Sequence, residues 1–195
     1  MLGWRMIASR SLALCGCLLA LTPAFAAEED KLIQAPSPKG DLVLLVEQHS
    51  QGADVVRLEG VSGKKFLTLA VNDELEGGQV TEGSVLWNAE SNGVAFAAGN
   101  ERTLRAFAFV RTKEEWKPLK LPEPGGDGKV WENRHVQPAK WVGKTLVLTV
   151  TGPHPAQAGS PAYAGTMTVA VDPEAGTAKK IEENIVVEKA GEESP

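Results

Sequence analysis

The chain has 195 residues, 43% of them hydrophobic and 23% charged, and a formal net charge of −5. That length suits one domain or a short row of repeats and excludes a large multidomain enzyme. The densest basic spots are the pairs Lys64-Lys65 and Lys179-Lys180. The sequence therefore lacks the concentrated positive charge that displaces counterions from phosphates or docks on anionic lipid, and no nucleic-acid partner is expected.

Residues 1–26 read as a secretory signal peptide. Met1 to Arg10 carries two arginines and no acid, Ser11 to Thr22 is apolar, and Ala24-Phe25-Ala26 is a small-x-small cleavage site. The apolar stretch is shorter than the roughly 20 residues of a spanning helix, so no membrane span is expected in the mature chain. The alternatives are an uncleaved membrane anchor, against which that length argues, and a lipid anchor at Cys17, because Leu14-Cys15-Gly16-Cys17 resembles a lipobox. Against the lipid anchor, Leu18 to Leu21 are apolar where a lipoprotein tether is polar. The expected location is extracytoplasmic, periplasmic or secreted. Both cysteines fall in the leader, so no disulfide, thiolate nucleophile or cysteine metal site is expected after cleavage. The fold must then rest on a hydrophobic core.

A single domain is expected over residues 27–187, with an acidic lead-in at 27–36 and a frayed acidic tail at 188–195. Leu42-Val43-Leu44-Leu45-Val46, Val94-Ala95-Phe96-Ala97-Ala98 and Leu146-Val147-Leu148-Thr149-Val150 are unbroken runs, the pattern of strands buried on both faces. Arg105-Ala106-Phe107-Ala108-Phe109 alternates, with phenylalanine on one face and alanine on the other, and Met167-Thr168-Val169-Ala170-Val171 alternates likewise. Pro122 to Gly128 and Gly152 to Pro161 read as loops. No stretch of a dozen residues in the mature chain keeps a helical period, so the fold class is all-β, built from antiparallel meanders.

The buried-type runs follow turns that begin at residues 37, 89 and 141, an even spacing of 52 residues. Each unit then runs from apolar strand through polar loop to alternating strand, polar turn and short closing strand. The units are about 37–88, 89–140 and 141–182. Ser37-Pro38-Lys39-Gly40, Ser62-Gly63-Lys64 and Trp87-Asn88-Ala89-Glu90-Ser91-Asn92-Gly93 carry the closest likeness. Over residues 36–182 this order resembles the blade repeat of TolB-type β-propellers. The resemblance implies propeller-like blades. Propellers close with about 4–8 blades, so these units alone imply an open or partial arc, or a ring completed by a second chain. A β-sandwich or barrel is the alternative, since regular strand spacing suits it equally.

Catalytic motifs are not found. No Gly-x-Ser-x-Gly elbow is present. Gly143-Lys144-Thr145 resembles the end of a phosphate loop, but Pro138 stands where that loop needs glycine. His49, His135 and His154 show no metal-ligand spacing, so neither a metal nor a cofactor is expected. The segment Lys129 to His135 is the most informative. It places Trp131, Arg134 and His135 just after a Gly-rich loop, and Trp and Arg are the residues that dominate binding interfaces. They are the candidate binding residues, set against a reading in which Trp131 is core and Arg134 and His135 face water. Trp87, Trp116 and Trp141 adjoin strands and read as core.

The expected function is protein binding or envelope assembly by a non-enzymatic protein whose partner is another protein or a second copy of itself. Two alternatives remain. One is a small-ligand carrier with a Trp-lined cleft. The other is a hydrolase of envelope polymers acting through acids such as Glu132 with His135.

Overall fold

The computed structural model describes residues 31–49, 54–61, 66–70, 75, 78–113, 115–125, 133–153 and 161–187. The expected signal peptide, the lipid-anchor position Cys17, Trp131, Glu132, His154 and the acidic tail lie outside the described residues. Every regular element among the described residues is a strand, so the all-β expectation holds. The order is β1 (Lys31–Pro36), β2 (Leu42–Gln48), β3 (Val55–Gly60), β4 (Phe66–Ala70), β5 (Gln79–Val80), β6 (Leu86–Trp87), β7 (Gly93–Gly99), β8 (Leu104–Arg111), β9 (Trp116–Pro118), β10 (His135–Val142), β11 (Thr145–Gly152), β12 (Tyr163–Asp172) and β13 (Thr177–Val187).

Strands β1 to β4 form one four-stranded antiparallel sheet in sequence order. Strands β6 to β9 pair consecutively, as do β10 to β13. These last two meanders are joined into one nine-stranded sheet by a parallel bridge, His135 opposite Leu104, with the short β5 on the far edge of β7.

The meanders stack because β7 and β8 carry apolar side chains on both faces. Their large residues, Val94, Phe96 and Phe109, pack on Leu44, Val46, Val56 and Leu58 of the first sheet. Their small residues, Ala95 and Ala108, pack on Leu146, Leu148, Met167 and Val169 of the last meander. The Phe face is a true aromatic contact, with ring centroids of Phe96 and Phe107 5.6 Å apart and of Phe96 and Phe109 6.0 Å apart. Burial on both faces, expected for all three apolar runs, is met fully only by Val94 to Ala98. In β2 and β11 the neighbour sheet covers one face, so Leu44, Val46, Leu146, Leu148 and Val150 are buried while Thr149 is exposed.

Two indole N–H groups link the layers. Trp87 Nε1 donates to the Ala35 carbonyl at 3.0 Å, and Trp141 Nε1 donates to the Leu86 carbonyl at 3.2 Å. All three tryptophans read as core are partly buried against the clusters, and Trp87 meets Trp116 edge to face at 6.0 Å.

The two ends of the stack differ. At one end the connections are tight. Ser37 Oγ accepts from the Leu42 N–H at 3.1 Å and donates to Asp41 at 2.9 Å, while Gly40 takes the left-handed φ of 69° that the turn needs. Asn88 Oδ1 accepts from the N–H groups of Asn92 and Gly93, each at 3.0 Å. The Lys39 N–H donates to Ser91 Oγ at 3.0 Å, tying these two turns together. Gly143 and Lys144 alone join β10 to β11, with Gly143 at a φ of 56°. At the opposite end lie the turn 100–103 and the strand ends Gln48, Val55, Pro118, His135, Gly152 and Tyr163, between which the chain is longer.

Candidate functional site

Arg134 and His135 stand at the entry to β10, at the end of the stack opposite the tight turns. Their place is fixed by backbone pairing: the Leu104 N–H donates to the Arg134 carbonyl at 3.0 Å, and His135 lies opposite Leu104. This is the seam where β8 loses β9 as a neighbour. The Leu119 N–H still donates to the Ala108 carbonyl at 2.8 Å, but toward Leu104 the chain leaves that edge of β8 and β10 takes its place. The split leaves two hollows, one on each side of the entering strand.

The first hollow is a cavity of about 150 Å³ lined by Arg105, Ala106, Leu121, Glu123, Arg134 and Val136, among others. Arg134 forms an ion pair with Glu123. Its charge also reaches Tyr163, which is 8% exposed. Burial pushes the Tyr163 phenol above its ordinary value of 10.0, and the Arg134 guanidinium opposes that rise. The Tyr163 ring lies over Gly152, its cross-strand partner, where any Cβ would collide with it.

The second hollow is an open groove of about 570 Å³ between β5, the 100–103 turn and His135. His135 Nε2 lies 3.0 Å from the Glu101 carbonyl. Asn100 Oδ1 accepts from the N–H groups of Arg102 and Thr103, at 2.9 and 3.0 Å, which shapes the groove's rim. Its opposite wall, β5, is held by Asp54. That carboxylate is 2% exposed and accepts the Val80 N–H at 2.9 Å, while Gln48 Nε2 donates to the Val80 carbonyl at 2.8 Å.

Arg134 and His135 are thus close in sequence but line separate hollows, as successive residues of an extended chain point to opposite sides. Glu123, Tyr163 and Asp54 were not singled out from the sequence. Glu123 sits in Pro122-Glu123-Pro124, read only as loop, and Tyr163 is the single tyrosine of the chain. Among the described residues no group of three or more His, Cys, Asp or Glu is placed to hold a metal ion. Likewise no helix among them is long and apolar enough to cross a membrane. Comparison with models of known protein families and with curated proteins gives no match.

Proposed function

We propose that the protein is an extracytoplasmic, non-enzymatic β-protein that works by binding another polypeptide, either an envelope component or a second copy of itself. In this reading the meanders β1–β4, β6–β9 and β10–β13 are blades of an open arc. The regular succession of four-stranded meanders supports it, as do the paired indole-to-carbonyl bonds from one meander to the one before.

The observation that carries the proposal is the pair of outer faces. Leu32, on the face of the first sheet turned away from Val46 and Val56, is 52% exposed. On the outer face of the β10–β13 meander Val186 is 66% and Val142 58% exposed, and the same face carries Thr145, Val147, Thr149 and Thr166, with Lys140 opposite Val147 and Glu182 opposite Thr168. A stack that buries its middle layer on both sides but leaves apolar side chains on both outer layers has the composition of an interface without its partner.

The test is the solution mass of residues 27–195, by light scattering after gel filtration, beside crosslinking in the source cells. The expected result is a dimer, or one defined hetero-complex, that a Leu32→Lys/Val186→Lys variant disrupts with its unfolding midpoint unchanged. A monomer that crosslinks to nothing would defeat the proposal. Mass spectrometry of the exported chain checks its location, with a mature N-terminus at Ala27 expected.

A further inference from the structure

Arg134 and Glu123 make an uneven pair. The arginine side chain is 16% exposed, whereas the glutamate side chain is 71% exposed. The carboxylate thus reaches a largely buried guanidinium from the solvent side, on the strap Pro122-Glu123-Pro124. The strap is fastened to β13 at its far end, where the Gly125 N–H donates to Glu183 at 2.8 Å and Lys180 Nζ reaches the Glu123 carbonyl at 3.5 Å. An ion pair with one partner so exposed adds little stability, so exchanging Glu123 for another carboxylate costs little.

Beneath the strap the cavity of about 150 Å³ persists with Glu123 in place, room for about five waters at their liquid volume. Ala106, Leu121, Val136 and Leu148 supply the apolar part of its lining, beside the polar groups of Arg105, Arg134 and Glu123. Glu123 is the only carboxylate that lines it among the described residues. A planar guanidinium fork at the wall of a short apolar hollow is the complement of a carboxylate on a short apolar stem.

We propose that this cavity is a recognition pocket for such a carboxylate, with Glu123 as its intramolecular placeholder. The proposal rests on the protein-binding reading and makes the ligand the free C-terminal end of a partner chain, whose last side chain fills the apolar hollow. A free short-chain acid presents the same chemistry.

The single tyrosine, Tyr163, supplies an internal reporter, because the Arg134 charge acts on its phenol. The full mature chain is titrated with butanoate, with an acetylated Ala-Val dipeptide and with that dipeptide's C-terminal amide, and the Tyr163 ring signals are followed by NMR. Saturable shifts are expected with the carboxylates and none with the amide. Glu123→Gln, which weakens the internal competitor, should tighten binding about tenfold, the worth of one charge-assisted bond. Arg134→Gln should abolish binding. Arg134→Lys, which keeps the charge without the fork and so guards against misfolding of the Gln variant, should weaken it about tenfold or more. A dipeptide that binds more tightly than butanoate assigns the pocket to a chain terminus, and equal affinities assign it to free acids. Absence of a saturable shift in Glu123→Gln up to about 50 mM ligand, far above the range of a specific site, overturns the pocket. So does unchanged binding in both arginine variants. Loss of the pocket with assembly intact would leave the outer-face reading standing, and the reverse result would separate them the other way.

Discussion

Tyr163 and Gly152 show how far one pair of residues can tie stability to the candidate site. The ring occupies the space that a Cβ at Gly152 would need, so Gly152→Ala must move either a buried aromatic or the strand. A loss of about 1–3 kcal/mol in urea unfolding is expected, the range for overpacking a core. The phenol adds a pH signature. Its pKa is raised in the folded chain above the ordinary 10.0, because burial disfavours the phenolate. Below pH 10 both states are neutral and the stability is fully present; above it the unfolded chain ionises first, so stability falls as pH rises through the folded value. Tyr163→Phe should flatten that alkaline decline when the two unfolding profiles are compared, and an identical decline in both would show that other groups govern it. Residue-level chemistry was half legible in the sequence. Arg134 and His135 stood out by type and position, but Glu123 did not, since the ion pair bridges a loop whose path the strands alone decide. Tyr163 gave no signal, because its meaning comes from the glycine across the ladder.

At the scale of elements, the middle meander carries the stack. The alternation of Phe and Ala in β8 was readable, and so was the apolar run of β7. What each face would meet was not, because periodicity fixes a side but not a neighbour. The division of labour predicts unequal responses. Phe96→Ala, at a fully buried position among Phe107 and Phe109, should cost about 3–5 kcal/mol, the range for deleting a buried aromatic. Ala108→Leu, against Leu146 and Met167, should cost about 1–3 kcal/mol by crowding rather than by a cavity. Trp87→Phe and Trp141→Phe each remove one indole donor while keeping an aromatic ring, and each should cost about 1 kcal/mol. The two bonds meet at the Leu86–Trp87 peptide, so the losses should couple and the double variant should depart from the sum by about 0.5 kcal/mol or more in denaturant, whereas a simple sum would show the two interfaces to be independent.

The whole molecule is a stack of sequence-local meanders, and its order of protection follows from that. Amide exchange should be slowest in β7, which is covered on both faces, and faster in β1 and in β13, where Ile181, Val186 and Val187 are exposed. Equal protection across all layers in native-state exchange would refute the layered picture. The long-range feature that the sequence hid is the parallel bridge between His135 and Leu104, which joins two meanders that are separate in sequence. Turn chemistry announces hairpins, but no local pattern announces where one meander docks on another. The strand runs and their tight turns were legible for that reason, and the seam that forms both hollows was not.

The contrast between the two ends of the stack also bears on how the chain can change length. At the tight end a hairpin such as Gly143-Lys144 sets the register of β10 against β11, and one added residue there would turn every side chain of a strand to the wrong face. At the other end the connections already differ in length while the strands they join keep their pairing. New sequence, whether an evolved insertion or a grafted reporter, is therefore accommodated most readily on one side of the molecule, the side on which Arg134 and His135 open. Growth in length and growth in binding surface become the same event in this architecture.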